Sequence, residues 1–489
     1  MKTYISIGNL KSVLFKTKDI PPRIVILSGL FLFIILAVFT KDDITLSGNE
    51  SSRFATVQSL VENGTFSIDN SMFKTEDRVL IKGHFYSDKP PLLSVSLASI
   101  YWIMNNVFHL SFAANYHLCV FVLNLACGAV FSTVLYYVFL FQLKSRDVPF
   151  GLKVMLSTAL ILCTWIFSFG VSVNNHSPAA CVFFIFFYFM NRIAANGKTL
   201  DFFLGALSAG ILFNLDMPAG FFSAIACMSM VFLLPLRERA LRMPVFLSGF
   251  FIPVLFMMLI NFMAYGSAVP AYMVPGAYEF QGNIHSSGVA GLHRPADVLG
   301  YFLNILGGYR GLFLYMPALL FIFPALWSER KKMNAEAVIV LISISVIIAF
   351  YGVFTGDYGG WSYGFRFLIP VIPVLWYYIA LWIMDNYKSK MLMRILYILL
   401  MIGLFTSWVG AYNPWPVCFE GAATSKGSVE EKIHFPLTAN LLCISYENSP
   451  ESSITDFMME KIYGRELAEK YLVKSFLNMK KLNMLKKEN

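Results

Sequence analysis

Apolar runs long enough to cross a bilayer recur along this chain, and that recurrence leaves few folds open to it. They lie near 24–40, 116–142, 154–172, 178–194, 200–215, 218–235, 243–264, 309–327, 335–354, 367–385 and 392–411. In hydrocarbon every backbone N–H and C=O must be bonded within the protein, so runs of this length read as helices. The chain is predicted to be an all-α polytopic membrane protein with about eleven transmembrane helices, and eleven to thirteen as the range. Only 14% of its 489 residues are charged, against about 25% in soluble domains. A soluble multidomain protein is thereby excluded.

The net charge of +9 does not point to nucleic acid, because the Lys and Arg residues sit in short clusters between apolar runs. Such clusters mark the cytoplasmic side. The basic arm Lys11, Lys16, Lys18 and Arg23 starts inside, and the run after it reads as a retained first span rather than a cleaved leader. Five basic connectors then fall inside: 144–153, 192–198, 237–242, 330–332 and 388–394. The apolar segment 91–108 is the exception. Counted as a crossing it would put all five outside, so it is read as a juxtamembrane helix; the alternative is that it does cross and that the long run 116–142 holds a break. The N-terminus is then cytoplasmic and the C-terminus outside. Residues 1–411 form the membrane domain, with outer loops 41–115 and 265–308. Residues 412–489 form a small outer tail, whose 454–488 stretch has a basic amphipathic pattern suited to a membrane surface.

Seven Cys occur without a CxxC, which argues against a zinc or redox site. Cys418 and Cys443 lie in the polar tail and are expected to be able to pair outside.

Most of the unusual polar residues fall on the outward side, where charges at span mouths tend to be functional. The first outer loop carries Gly48-Asn49-Glu50-Ser51-Ser52-Arg53-Phe54-Ala55 and then a helical pattern. Residues 78–86 alternate around Lys82-Gly83 like a small hairpin. The loop closes with Asp88-Lys89-Pro90-Pro91-Leu92, where the double proline fixes an extended segment and starts a helix. Further outward are Asn174-Asn175-His176, Asp216-Met217-Pro218, Arg310 in a glycine-rich stretch, and 359–367 with Trp361, Tyr363 and Arg366. Asp216 either binds substrate or caps the helix after it, and the cap is the preferred reading.

These motifs resemble the GT-C membrane glycosyltransferases, above all the protein O-mannosyltransferases and the lipid A aminoarabinose transferase. The family pattern Asp-Glu-x-Arg-Tyr-Ala matches Glu50-Ser51-Ser52-Arg53-Phe54-Ala55 in register, and the Lys-Pro-Pro-Leu segment matches Lys89 to Leu92. The stretches 311–317 and 359–367 are similar to segments of bacterial members. The likeness spans about residues 20–410. It implies a GT-C-type bundle with a long first outer loop bearing juxtamembrane helices. It also implies a bacterial inner-membrane protein that takes a sugar from a polyprenyl-phosphate donor, with membrane lipids around it. Two departures stand out: the family carboxylate at Glu50 is usually Asp, and its neighbour is acidic where this chain has Ser51.

The chemistry needs few parts. A carboxylate takes the proton of an acceptor hydroxyl, which attacks the anomeric carbon with inversion. Glu50 and Asp88 are the candidate catalytic carboxylates, with Asp42 and Asp43 as nearby substitutes for the base. The leaving lipid phosphate needs cations, for which Arg366, Arg310 and Lys89 are candidates. Arg53, Trp361, Tyr363, His176 and Asn174 complete the expected substrate-binding set. The equivalent outer mouth in the aminoarabinose transferase carries an active-site Asp, which Asn174-Asn175-His176 lacks. No Asp-x-Asp triad of nucleotide-sugar enzymes occurs, so no obligatory metal is expected. If a divalent metal binds, as the resemblance to one relative implies, His84, Asp88, His285 and His293 are its candidates.

Two other functions compete. A flippase or transporter of lipid-linked sugars would show internal repeats and polar residues at the bilayer midplane, and neither is found. A polysaccharide polymerase or ligase would place its main outer loop late, and loop 265–308 keeps that reading open. The acceptor, whether lipid, glycan or protein, is not specified by these motifs.

Overall fold

The computed structural model describes residues 22–45, 47–143, 147–283, 294–331, 333–356, 358–360, 362–415 and 435–448. Among these the chain is helical apart from one two-stranded hairpin and short connecting turns. Helix α1 (Pro22–Phe39) leads into the first loop segment. That segment holds α2 (Gly48–Glu62), strands β1 (Arg78–Ile81) and β2 (His84–Ser87), and α3 (Pro91–Phe108). Next come α4 (Tyr116–Cys127), α5 (Ala129–Gln142), α6 (Phe150–Leu162), α7 (Trp165–Phe169), α8 (His176–Asn196), α9 (Thr199–Leu215), α10 (Met217–Phe232) and α11 (Leu236–Tyr265). A second loop segment precedes α12 (Val298–Leu306), α13 (Leu312–Tyr315), α14 (Ile322–Glu329), α15 (Ala335–Phe354), α16 (Ile372–Asn386), α17 (Lys390–Tyr412) and α18 (Pro436–Asn448).

Among the described residues seven helices are long and apolar enough to cross a membrane: α3, α4 joined to α5, α8, α11, α15, Arg366–Asn386 and α17. Shorter apolar helices cover the remaining expected runs. Large apolar side chains face outward along α1 (Phe31, Val38) and α11 (Leu255, Leu259, Phe262, Met263). Such continuous apolar surface belongs against lipid rather than water. Two expected runs are not single helices. The run 309–327 breaks into α13, a 3₁₀ turn over Pro317–Phe321 and α14, because Pro317 has no N–H to continue the ladder. The run 154–172 stops at Cys163, and Thr164 caps α7 by accepting from the Ile166 amide.

Helix α3 qualifies as a span by length and composition, but both its ends meet the first loop segment. Beyond its C-terminus, the Phe112 ring lies 5.9 Å from Phe54 on α2 and 4.8 Å from Phe73. The Tyr116 hydroxyl then donates to Asp43, beside the end of α1, at 2.7 Å. At its N-terminus Lys89 pairs with Asp77. Helix α3 therefore packs along α2, and by length and composition it is also one of the helices able to cross a membrane.

The hairpin turns at Lys82-Gly83, where both residues have positive φ (52° and 84°) and Ile81 faces His84. This is the two-residue turn whose twist suits antiparallel strands. The second loop segment docks on the hairpin. The Leu80 amide donates to the Ala277 carbonyl at 2.8 Å, and Val79, Ile81, Tyr265, Ala271 and Tyr278 bury together. That small core holds residues 271–278 over the loop end of the bundle. Deeper in, α9 and α11 cross closely through Gly210 and Gly249: a Cβ there would lie 2.4 Å from the Phe250 carbonyl and 2.6 Å from the Phe203 carbonyl, respectively.

Candidate active site

Glu50 sits in the first turn of α2 and is fully buried. Its Oε2 accepts from the Thr45 amide at 2.6 Å and from the Thr45 hydroxyl, while Oε1 has no hydrogen-bond partner among the described residues. Burial pushes its pKa up to about 7; the Thr45 hydrogen bonds oppose the rise and Asp43 adds to it. A carboxyl poised near neutrality is suited to proton transfer. A base must be ionised to act, so turnover is expected to rise with pH through about 7 and level off above it. A kcat–pH profile checks this. A flat profile between pH 5 and 8 would contradict it.

Arg53 follows one turn later on α2 and is 2% exposed. Its Nε donates to Asn49 Oδ1 at 3.1 Å and Nη2 donates to Asn175 Oδ1 at 3.3 Å. Nη1 has no hydrogen-bond partner, and among the described residues no carboxylate forms an ion pair with Arg53. Burial lowers its pKa to about 10, so it remains a cation at neutral pH. Its charged neighbours are Asp88, Asp77 and Arg366.

Lys89 is held between two carboxylates, 2.8 Å from Asp77 and 3.0 Å from Asp88. Burial alone would lower its pKa, but Asp77 and Asp88 outweigh that and raise it. Asp88 is buried and also accepts from the Tyr278 hydroxyl at 3.2 Å. Lys89→Met leaves both carboxylates without their cation. We expect a loss of about 3–5 kcal/mol of stability, read as a lower unfolding temperature in detergent. The double variant Asp77→Asn, Lys89→Met should recover part of that loss.

His176 opens α8 and is 2% exposed. Among the described residues neither ring nitrogen has a hydrogen-bond partner. The ring lies edge-on to Phe169 (6.2 Å) and Phe367 (6.0 Å), and its charged neighbours are Arg366, Arg53 and Lys89. Asn174, fully buried, ties the turn before it: its Nδ2 donates to the Phe169 and Ser172 carbonyls and its Oδ1 accepts from the His176 and Ser177 amides. Asn174 thus serves the mouth's backbone, and the neighbouring Asn175 reaches Arg53.

Arg366 begins the 3₁₀ turn leading into α16 and lies over the rings of Trp415 (4.7 Å) and Phe367 (5.3 Å). The preceding turn has positive φ at Tyr358 (53°), Gly359 (80°) and Gly360 (68°). A Cβ on Gly359 would come within 3.2 Å of Arg366 Nε, so the turn fits against that side chain only as glycine. Arg310 holds this turn: Nη1 donates to the Gly360 and Ser362 carbonyls, and the Phe365 amide donates to the Arg310 carbonyl. Tyr363 is buried, with its hydroxyl donating to the Thr406 carbonyl at 2.7 Å and its ring against Tyr315, which leaves no face for a ligand.

Trp361, His285, His293 and Cys418 lie outside the described residues, as do the Cys443 side chain and the 454–488 stretch. His84 is exposed and paired with Asp69 at 2.8 Å. Among the described residues no group of three His, Cys, Asp or Glu side chains is placed to hold a metal.

Four residues outside the expected set meet or neighbour these groups. Asp77 supplies the second carboxylate to Lys89. Tyr278 reaches Asp88. Tyr351 on α15 donates to Asp216 at 2.7 Å, and Tyr272 has Asp88 and Asp216 as its charged neighbours. Asp216 caps α10 as expected, accepting from the Ala219 amide at 3.1 Å. Burial pushes its pKa up to about 6 against both hydrogen bonds.

Two crystal structures of ArnT from Cupriavidus metallidurans, one bound to undecaprenyl phosphate and one in the apo state, share this architecture. The TM-score is 0.51 for each, at 13% and 12% sequence identity, with 92% of this chain and 73% of that chain covered. No family model matches the sequence, and no curated protein matches it. At this identity the likeness is one of fold. The chain has the helical, polytopic fold of these two ArnT structures.

Proposed function

We propose that this chain is an inverting glycosyltransferase that moves a sugar from a polyprenyl-phosphate donor to an acceptor hydroxyl, at the outer face of a bacterial inner membrane. The observation that carries the reading is Arg53. Among the described residues this fully buried guanidinium hydrogen-bonds only to amide oxygens, which is costly unless an anion completes it. Arg366 is its neighbour from the far end of the chain, and the two together suit a phosphate. The ArnT structure bound to undecaprenyl phosphate, which shares the fold, supports a lipid phosphate as that anion.

In the proposed step the Glu50 carboxylate accepts the proton of the acceptor hydroxyl. The hydroxyl oxygen forms the new bond to the anomeric carbon from the face opposite the phosphate. The anomeric C–O bond breaks, and its electron pair leaves with the phosphate as polyprenyl phosphate, which Arg53 and Arg366 stabilise. Asp88, tied to Lys89 and Tyr278, is assigned to holding the loop and facing the substrate rather than to taking the proton. Side-chain cations meet the leaving charge, so the step is written without a metal.

Native mass spectrometry of the purified protein with undecaprenyl phosphate tests the donor class. A stoichiometric adduct that geranylgeraniol does not displace is expected. Equal binding of the alcohol and the phosphate would mean that the site reads only the apolar tail, and the proposal would fall.

A further inference from the structure

The two guanidiniums account for a phosphate, yet the same basin holds polar groups that a phosphate does not use. His176 is 2% exposed with both ring nitrogens unsatisfied. Leaving such groups buried without a partner costs about 1–3 kcal/mol each, so a ligand is the natural source of the missing bonds. The Tyr351 ring stacks on Phe367 at 4.9 Å and 10°, and Phe367 in turn meets His176, so three rings make one continuous wall. At the end of that wall the Tyr351 hydroxyl holds Asp216. Asn175 ties the two parts together, because its Nδ2 donates to the Leu215 carbonyl beside Asp216 at 2.9 Å. Tyr272, brought in by the second loop segment, points its hydroxyl at Met217 Sδ (3.7 Å), next to Asp216, and has Asp88 and Asp216 as charged neighbours.

We propose that His176, the Asp216–Tyr351 pair and Tyr272 form the sugar subsite, and that the sugar it takes is uncharged and polyhydroxylated. This rests on the transferase reading above. An imidazole offers one donor and one acceptor, which is the complement of a hydroxyl group. A carboxylate already sharing one oxygen with a tyrosine accepts further hydroxyl protons without needing a cation. The charge pattern disfavours the alternatives. A cationic sugar would face Arg53, Arg366 and Lys89, the charged neighbours of His176, while Asp88 is already paired with Lys89. An acidic sugar would bring its carboxylate against Asp88 and Asp216.

The test compares three probes by native mass spectrometry on the full chain: undecaprenyl phosphate, undecaprenyl-phosphate glucose and an undecaprenyl-phosphate amino sugar. The wild type is expected to bind the neutral glycolipid about tenfold more tightly than the bare lipid phosphate, a difference of about 1.4 kcal/mol. His176→Ala and Tyr272→Phe should lose most of that preference while retaining the bare lipid, and His176→Gln should restore part of it. Tyr272→Phe removes one hydroxyl and keeps the ring, so it carries the test if His176→Ala does not fold. The inference is overturned if the variants weaken both lipids equally, or if the wild type prefers the amino sugar. If the wild type fails to bind even the bare lipid phosphate, the donor reading fails and the sugar subsite with it.

Discussion

Replacing Glu50 by Gln is expected to lower turnover about 10²- to 10⁴-fold, the range a positioned general base contributes. Gln keeps the shape and can still meet the Thr45 hydroxyl, but it cannot take a proton. The fold should gain from the change. Glu50 is fully buried and its pKa is raised from 4.5 to about 7, so the folded protein binds its proton more tightly than the unfolded chain does. Its contribution is therefore intact below about pH 4.5 and is lost as pH rises through about 7. At pH 8 the buried carboxylate costs on the order of 3 kcal/mol. Glu50→Gln should therefore melt higher than the wild type at pH 8, with the difference shrinking towards pH 5. Steady-state kinetics and a melting series in detergent read both effects. A variant that is less stable at pH 8 and equally active would place the base elsewhere, with Asp42 and Asp43 next in turn.

Arg53→Met separates binding from stability in a second way. Among the described residues its guanidinium has amide partners and no ion pair, and the carboxylates nearby, Asp88 and Asp77, are already paired with Lys89, so the empty protein carries a poorly compensated buried charge. Removing it should leave the melting temperature unchanged or raise it. Removing it should also weaken undecaprenyl phosphate binding by about 2–4 kcal/mol, roughly 30- to 1000-fold, as expected for a desolvated charge-assisted contact. Lys89→Met should behave in the opposite manner, because Lys89 neutralises Asp77 and Asp88 within the protein itself. Binding by native mass spectrometry beside a melting curve distinguishes the two. If Arg53→Met unfolds the protein and keeps its lipid, Arg53 is a structural residue.

Much of the architecture was legible because it follows from local chemistry. Apolar length marks the helices, Lys82-Gly83 marks the hairpin turn, and Asp216 followed by Pro218 marks a helix start. The Glu50-to-Arg53 motif was legible for the same reason, since both residues lie on one turn of a helix that directly follows the first span. What escaped depends on partners far apart in the chain. Lys89 reads as a free cation until Asp77 is folded against it by the hairpin. Arg310 reads as a phosphate ligand, but its guanidinium donates to carbonyls some fifty residues on, at Gly360 and Ser362. Tyr363 sits among loop aromatics in the sequence and is buried under α17 in the fold. Tyr351 lies inside an apolar run, where only its hydroxyl hints at a role, and its partner Asp216 is 135 residues away.

The most direct test of the account is release of polyprenyl phosphate from a panel of radiolabelled polyprenyl-phosphate sugars, with membrane extract as a mixed acceptor. Wild type and Glu50→Gln would be assayed side by side, both checked for folding. The account predicts that the wild type turns over at least one neutral donor and that Glu50→Gln, folded and able to bind the lipid, does not. If no polyprenyl-phosphate sugar is consumed by the folded wild type, or if Glu50→Gln consumes it at the wild-type rate, the proposed reaction is contradicted.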